Sequence, residues 1–348
     1  MTSPREIAAA LVLLLAALGG VYAVARTGER PPSTLDLSLP WSAQEFHTKD
    51  AARFAEAVHA ATEGRVRVVL HPGAVLGIKG PDSLRAARDG VVAMIDMAAF
   101  QQVGMEPILG LDALPFLVRD QAELRLLHED LRPAIETALA RHGLRLLYVV
   151  PWPPQNLYAK RRIETFADLK GLVVRTLDAN TTELARRLGM TPVQLAAPDV
   201  VPALASGALD AVFTSTTTGA AQKYWEFLPY IHRTNHGWVT NLMVISERAL
   251  KALAPADRRA LIRIARTLEP EFWEVSRRDD LAKLALLEAH GMKAIVPDSA
   301  LRAAMQAVAR PMWEAYAARV PHARAILDRF LVRTGRAPLG TVPPEAAS

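Results

Sequence analysis

The sequence predicts an α/β protein of two domains, and three observations lead to that prediction. Its 348 residues suggest two domains more readily than one. Short apolar runs rich in β-branched residues alternate with longer segments in which apolar residues recur at helical spacing. A proline-rich segment, residues 151–154, interrupts this alternation near the middle of the chain. We therefore expect two α/β units that are connected at this segment.

The first unit precedes the proline-rich segment. Strands are predicted over residues 35–39, 66–70, 91–98 and 144–150. Helices are predicted from about residue 51 to Gly64, over residues 82–89, and over residues 121–142. We expect the last helix to break at Pro133, because proline lacks the N–H that a helix interior needs.

The second unit contains a compact strand–helix–strand–helix–strand run. Its first strand follows Gly171 and ends in Arg175, and its third strand ends in Thr214 and Ser215. The carboxyl ends of strands face the ligand crevice of an open α/β sheet, so Arg175 is predicted to face a ligand. A lone arginine is more often part of a surface ion pair, and the surrounding pattern is what favours the ligand interpretation.

The chain is expected to cross between the two domains twice. Residues 151–154 form the first crossing, and residues 239–246 form the return, before a long helix over residues 255–290 that Pro270 should kink. This predicts domain I over residues 34–150 plus 242–270, and domain II over residues 151–241 plus 271–335. Residues 336–348 are expected to form a flexible tail.

The N-terminus predicts export. Residues 7–25 are uncharged and apolar, and residues 23–25 (AVA) match the small-x-small pattern of a signal-peptidase site. We therefore expect a signal peptide over residues 1–25 and a mature chain that begins near Arg26. An uncleaved membrane anchor is the alternative, because the segment is about the ~20 residues needed to span a bilayer.

Composition and motifs argue against several other functions. The chain has no cysteine, and its net charge of +5 is spread along the sequence without a basic block, so nucleic-acid binding is not expected. No nucleophile turn, phosphate loop or dinucleotide motif is present, and we expect neither an enzyme nor a cofactor. His232 and His236 lie in an extended segment, which does not favour a metal site. Asp96, inside an apolar strand, is interpreted as a buried, hydrogen-bonded acid.

The order of several short motifs resembles the solute-binding proteins of TRAP (tripartite ATP-independent periplasmic) transporters, of the C4-dicarboxylate-binding type. The motifs are residues 71–77 (HPGAVLG), 114–117 (LPFL), 167–176 (ADLKGLVVRT), 188–189 (LG), 203–211 (ALASGALDA) and 241–246 (NLMVIS). The resemblance implies a two-domain periplasmic binding protein of type II-like fold, with a ligand cleft between the domains and a long bridging helix. It also implies that the protein captures an organic acid in the periplasm and delivers it to the membrane subunits of a TRAP permease. A periplasmic sensing subunit for a receptor kinase is the alternative, and a monomer is expected.

The resemblance also implies a set of ligand-binding residues. The position of Arg175 matches the family's carboxylate-binding arginine, and a guanidinium presents parallel N–H donors to two carboxylate oxygens. Thr214 stands where many relatives have asparagine, and Gln155 stands where some carry a second arginine. Ser215 follows Thr214 at the same strand end. Aromatic side chains at strand ends or crossings complete the predicted cleft and make an apolar or aromatic acid a candidate ligand; they are Trp41, Phe100 and Trp238, with Trp152 beside them.

Overall fold

The computed structural model describes residues 32–340, which form two β-sheets and the helices that cover them. The predicted signal peptide lies outside the described residues, as do residues 341–348. Among the described residues, no helix is both long enough and apolar enough to cross a membrane.

Eleven strands and ten α-helices make up this part of the chain. The strands are β1 (Ser33–Ser38), β2 (Val66–His71), β3 (Met94–Ala98), β4 (Leu144–Pro151), β5 (Gln155–Ala159), β6 (Val173–Thr176), β7 (Thr191–Gln194), β8 (Ala211–Thr214), β9 (Tyr230–Gly237), β10 (Thr240–Ser246) and β11 (Lys293–Ile295). The helices are α1 (Phe46–Ala61), α2 (Ser83–Arg88), α3 (Gln121–Arg141), α4 (Ala179–Arg187), α5 (Ala197–Ala205), α6 (Thr216–Ala221), α7 (Glu247–Ala252), α8 (Pro255–Ala289), α9 (Ser299–Arg319) and α10 (Ala323–Arg333).

The first sheet has the strand order β2-β1-β3-β10-β4. β1 pairs in parallel with β2 and β3, whereas β10 runs antiparallel to both β3 and β4. The side chains of one face pack with α1 and the first half of α8, and those of the other face pack with α2 and α3. Strands β3 and β10 are therefore buried on both faces, which suits their mostly apolar sequences, whereas β1 and β2 keep exposed positions.

The second sheet has the strand order β11-β9-β5-β8-β6-β7. β6 is parallel to β7 and β8, while β5 is antiparallel to its neighbours β8 and β9. The sheet thus receives its strands from the segment between the two crossings, with β11 added from after α8. The predicted α/β class and two-sheet architecture are confirmed.

The helix boundaries agree with the sequence in most places and differ at Pro133. We predicted a break there, but α3 is one continuous helix from Gln121 to Arg141. Pro133 lies on the exposed side of α3, where water can bond the carbonyl that proline leaves without an N–H partner. The Asp120 carboxylate accepts a hydrogen bond from Glu123 N at 2.9 Å and caps the first turn.

The 35-residue helix α8 connects the two halves of the fold. It contacts α1 and β4 of the first half and α6 of the second. Trp273 anchors it, because the indole Nε1 donates to Val149 O at 2.8 Å. The predicted long bridging helix is confirmed, and the exact division of the chain into two domains stays a prediction.

The described part of the predicted tail is packed against the protein. The Arg336 guanidinium donates to Leu117 O at 2.6 Å and lies 5.0 Å from the Phe330 ring centroid. Leu339 is buried, and its N–H donates to Asp328 Oδ1 at 2.8 Å. Residues 336–340 are therefore held by specific contacts.

Candidate ligand-binding site

One edge of the second sheet brings together five of the predicted site residues, Gln155, Arg175, Thr214, Ser215 and Trp238. β6 and β8 are parallel, so their carboxyl ends reach the same edge. β5 runs the opposite way and therefore begins at that edge, and the residue after β9 follows it there. We call these five residues the second-sheet edge.

Arg175 is the charged group of the second-sheet edge. It is buried, with 6% of its surface exposed. Its Nε donates to Leu195 O at 3.0 Å, and its Nη1 donates to Phe213 O at 3.1 Å. These two carbonyls fix the plane of the guanidinium on either side of β6 and leave Nη2 without a hydrogen bond among the described residues.

No carboxylate of residues 32–340 forms an ion pair with this guanidinium. Burial lowers the pKa of Arg175 from its usual value, while electrostatic interactions with Tyr224 and Asp178 act in the opposite direction. A guanidinium nevertheless stays protonated at any working pH. The second-sheet edge therefore holds a fixed, buried and unpaired positive charge, which suits a carboxylate.

The other residues of this edge contribute polar and aromatic surface. Gln155 is buried, and its Nε2 donates to Pro153 O at 3.2 Å while its Oε1 has no partner among the described residues. Thr214 is buried at the last position of β8. The Ser215 hydroxyl caps α6, where it accepts a hydrogen bond from Thr218 N at 3.4 Å, so part of its bonding capacity is already used.

Trp238 lines a pocket of about 450 Å³ beside the crossings. Its indole is buried, and its Nε1 has no hydrogen-bond partner within the described range. Other residues that line this pocket are Pro153, Pro154, Arg233, Asn235, Ser276 and Asp280. The pocket therefore adjoins both crossings and the middle of α8.

The remaining two predicted residues lie at the corresponding edge of the first sheet. Trp41 follows β1, and Phe100 follows β3; both are half-buried against the core that α1 covers. The main chain of Trp41 is held in place by Gly73 N, which donates to Trp41 O at 2.7 Å. The sheet register places Asn241 at this edge as well, opposite Ala98 at the end of β3.

Sequence reasoning did not assign four further residues of this edge to the site: Ser38 at the end of β1, His47, Asp96 and Asn241. Asp96 lies on the same face of the sheet as Asn241, two positions from the end of β3. His47 stands in the first turn of α1, with its ring centroid 4.4 Å from that of Trp152. We call the set the first-sheet edge; its members are Ser38, Trp41, His47, Asp96, Phe100, Trp152 and Asn241.

The two edges lie next to each other because the crossings between them are short. Only residues 152–154 connect β4 to β5, and only residues 238 and 239 connect β9 to β10. The crossings are also bonded to each other, since Trp152 N donates to Val239 O at 2.8 Å. The indole of Trp152 then donates to Asn241 Oδ1 at 2.8 Å. Arg175 and the first-sheet edge therefore border one interdomain region.

Asp279 on α8 interacts with both halves of the fold. The Thr217 hydroxyl on α6 donates to Asp279 Oδ2 at 2.5 Å. Burial, and then the charge of Asp279, raises the pKa of Glu45 to about 7. Glu45 precedes α1, so the beginnings of α1 and α6 face each other across the middle of α8.

The two histidines of β9 are structural. Ile163 N donates to His232 Nε2 at 2.9 Å, and burial lowers the pKa of His232 to about 4. His236 is also buried, its pKa is lowered to about 3, and its ring lies 4.3 Å from that of Phe213. Neither belongs to a cluster of potential metal ligands, of which the described residues contain none.

Comparison with known proteins identifies the class. The profile of the DctP family, bacterial extracellular solute-binding protein family 7, matches residues 37–319. The chain belongs to this family. It is therefore an extracytoplasmic solute-binding protein of the TRAP class, and the resemblance stated from the sequence is confirmed.

Individual relatives agree with this assignment. The chain is 25% identical over 215 residues to the 2,3-diketo-L-gulonate-binding periplasmic protein YiaO of Escherichia coli, which covers 61% of this chain and 65% of YiaO. The structure of DctP7, a Bordetella pertussis extracytoplasmic solute receptor binding pyroglutamic acid, is similar with a TM-score of 0.81 at 26% identity, over 85% of this chain and 99% of DctP7. A marine-metagenome TRAP solute-binding protein specific for pyroglutamate is similar with a TM-score of 0.79 at 29% identity, over 86% of this chain and 99% of that protein.

Proposed function

We propose that this protein captures a small organic acid between its two sheets, with Arg175 as the anchor of the carboxylate, and delivers it to a TRAP permease. Gln155, Thr214, Ser215, Trp41, Phe100 and Trp238 are the proposed further contacts. The observation that carries the proposal is the buried guanidinium of Arg175, which is held by two carbonyls and paired with no carboxylate of the described residues.

The physical reason is that a buried charge without a counter-charge is costly. A carboxylate brought to Arg175 replaces the lost hydration of the guanidinium with charged hydrogen bonds of about 1.5–3 kcal/mol each. The geometry favours one carboxylate oxygen on the unbonded Nη2, next to the end of β8. Thr214 can then donate its hydroxyl to the same carboxylate.

The relatives support an acid of small size. Two of the structures named above belong to proteins that bind pyroglutamate, and YiaO binds 2,3-diketo-L-gulonate. Family membership also favours transport over the sensing role that the sequence left open. We further propose a periplasmic, monomeric protein whose signal peptide is removed near Arg26. N-terminal sequencing of the exported protein checks the cleavage, and a chain that begins at Met1 in the membrane fraction contradicts it.

The proposed function is tested with a matched pair of ligands. Pyroglutamate and its carboxamide have the same ring and differ only in the group that Arg175 would bind. Isothermal titration calorimetry should show one acid bound per chain, with the carboxamide at least about a hundredfold weaker, as expected when a buried charge loses its partner at a cost of ~3–5 kcal/mol. Equal affinities contradict the carboxylate assignment. So does a thermal-shift screen in which no small carboxylate stabilises the protein.

A further inference from the structure

Two adjoining grooves lie beside α8, away from the proposed ligand site. The larger one, of about 650 Å³, lies between α3 and α8 and has residues 144–147 of β4 in its wall. The smaller one, of about 410 Å³, lies along the first half of α8. Ile262 and Arg266 line both, so the two form one continuous surface, which we call the α8 groove.

The α8 groove lies at the opposite end of the first sheet from the two crossings. β4 runs from Leu144 to Pro151, and Pro151 adjoins the first crossing. The groove includes only the first four residues of β4, together with Glu247, which follows the far end of β10. An extended strand rises about 3.3 Å per residue, so about 13 Å of β4 separates the groove from the crossing. The groove is therefore a surface distinct from the proposed ligand site.

The carboxylates that line the larger groove are already paired with arginines of this chain. Arg132 pairs with Glu269 at 2.7 Å and with Glu136 at 3.2 Å. Arg145 pairs with Glu247 at 2.6 Å. These ion pairs neutralise one another, so the charge that distinguishes the α8 groove comes from elsewhere in its wall.

Three arginines of α8 supply that charge, and we call them the arginine row. Arg259, Arg263 and Arg266 are exposed and make no hydrogen bond or ion pair with any residue in the range 32–340. Spacings of four and three residues place them on one side of the helix, where like charges destabilise each other. A single exposed arginine is usually only hydrated, but a row of three beside a groove is stabilised when an anionic partner binds.

The dimensions of the α8 groove suit an extended peptide. From Arg259 to Pro270 the helix advances about 16 Å, which five extended residues match at about 3.3 Å each. Alternate side chains of such a segment lie on one side, about 6.6 Å apart, and Arg259 and Arg263 are separated by about 6 Å along the helix axis. Acidic side chains at alternate positions can therefore each meet an arginine of the row.

The lining of the groove favours a peptide over an anionic membrane surface. Lipid headgroups form a flat layer that cannot follow a groove, and the carboxylates of Glu136 and Glu247 would face that layer. Apolar side chains in the same wall, those of Ala140, Leu146 and Ile262, instead suit apolar residues placed between the acids of a peptide.

We propose that the α8 groove binds a short acidic segment of another protein in extended conformation, with the arginine row binding its carboxylates. Charge complementarity speeds the encounter and makes the affinity depend on salt, while the walls of the groove select the extended shape. Because the groove is separate from the second-sheet edge, the segment does not compete with the organic acid for Arg175.

A synthetic peptide tests the inference in the wild-type protein. The probe is Glu-Val-Glu-Val-Glu with both ends capped, and Lys-Val-Lys-Val-Lys is its counterpart of opposite charge. Calorimetry at low salt should show one acidic peptide bound per chain. Its affinity should fall at least tenfold in about 1 M salt, where the screening length is about 3 Å. Absence of saturable binding, or equal binding of the lysine peptide, overturns the inference.

A charge reversal assigns the effect to the arginine row. Arg263→Glu should weaken binding of the acidic peptide at least tenfold. Arg67→Glu makes the same change at an exposed position of β2, the other edge strand of this sheet, and is the matched control that should keep the wild-type affinity. Circular dichroism verifies that both variants fold. A folded Arg263→Glu protein that binds the peptide as the wild type does contradicts the assignment.

Two further measurements separate this inference from its alternatives. Both variants should bind pyroglutamate as the wild type does, so that loss of peptide binding in Arg263→Glu is distinguished from damage to the proposed ligand site. Cosedimentation with phosphatidylglycerol vesicles examines the membrane alternative. If the wild type binds these vesicles through Arg263 and does not bind the acidic peptide, the groove serves a membrane surface and the inference is wrong.

Discussion

The two sheet edges that border the interdomain region differ in how their polar groups are satisfied. At the second-sheet edge, Arg175 is fixed by two main-chain carbonyls and lacks only a counter-charge. The first-sheet edge holds no cation: His47 is neutral at physiological pH, Asn241 is an amide that accepts from the Trp152 indole, and the charged side chains that act on the buried Asp96 carboxyl are the acids Asp50 and Glu45. One edge is suited to supply affinity through charge, and the other to supply selectivity through donors and acceptors.

This difference has a general lesson about recognition of small acids. A single fixed cation binds any carboxylate, and it discriminates poorly among molecules that share that group. Buried donors and acceptors penalise every ligand that leaves them unpaired, and such penalties give strong discrimination. Placing the two functions on different sheets lets one edge change its chemistry while the other keeps the common anchor.

The largest expected effect is at the anchor. Arg175→Ala leaves a ligand carboxylate without its partner, which should weaken binding of pyroglutamate roughly a hundredfold or more. Arg175→Lys should recover only part of the affinity, because an ammonium cannot reproduce the planar fork. Calorimetry measures both variants against Arg162→Ala, an exposed arginine that follows the opposite end of β5 and is paired with exposed Glu164. If a folded Arg175→Ala protein binds pyroglutamate as tightly as Arg162→Ala does, Arg175 is not the anchor of the carboxylate.

The second largest expected effect is a loss of folding stability at low pH, caused by His47 of the first-sheet edge. Burial holds the pKa of His47 at about 3 in the folded protein, against 6.5 ordinarily. Between these values the unfolded chain binds the proton and the folded chain does not, so stability falls as pH falls below about 6.5. His47→Gln should remove this loss, which approaches about 1.4 kcal/mol per pH unit.

Urea unfolding at pH 7 and pH 5 measures this difference. The wild type should lose more stability than His47→Gln between the two values, while His59→Gln on the exposed side of α1 serves as the matched control. Parallel pH profiles for the wild type and His47→Gln would show that His47 is not buried in a neutral form.

The smallest expected effect comes from Glu45, which lowers the folding stability as pH rises, whereas His47 lowers it as pH falls. Burial and Asp279 raise the pKa of Glu45 to about 7 from 4.5. The folded chain therefore holds this proton more firmly, and stability is lost as pH rises from about 4.5 through 7. Glu45→Gln should gain stability relative to the wild type across that window. Thermal melts at pH 5 and pH 8 compare the two proteins, and a difference that does not grow with pH contradicts the assignment.

Much of the second-sheet edge could be predicted from the sequence because its signals are local. Gly171, the β-branched run and Arg175 lie within a few residues, and the following helix and strands repeat at regular spacing. The same local reasoning failed at Pro133, where the outcome depends on which side of α3 faces water. Propensity alone contains no information about that side.

The first-sheet edge was largely missed because its members come together only through sheet pairing. His47, Asp96 and Asn241 are far apart in the chain, and the antiparallel register of β10 against β3 is what places the last two side by side. Asp96 gave one usable signal, an acid inside an apolar strand. We interpreted it as a buried, hydrogen-bonded acid; it is buried, and the Asn241 and Trp41 side chains act on its carboxyl group as hydrogen-bond donors.

Because Trp152 packs against Trp41 and His47 in the interdomain region, the intrinsic tryptophan fluorescence of this protein should report on ligand binding. Three of the six tryptophans, Trp41, Trp152 and Trp238, border the interdomain region. Indole emission depends on the polarity and mobility of its surroundings, so a ligand that enters here should alter the native fluorescence without any attached dye. Stopped-flow mixing of unlabelled protein with ligand could then separate the initial binding step from domain closure. The variants Trp152→Phe and Trp238→Phe would show which indole reports each step.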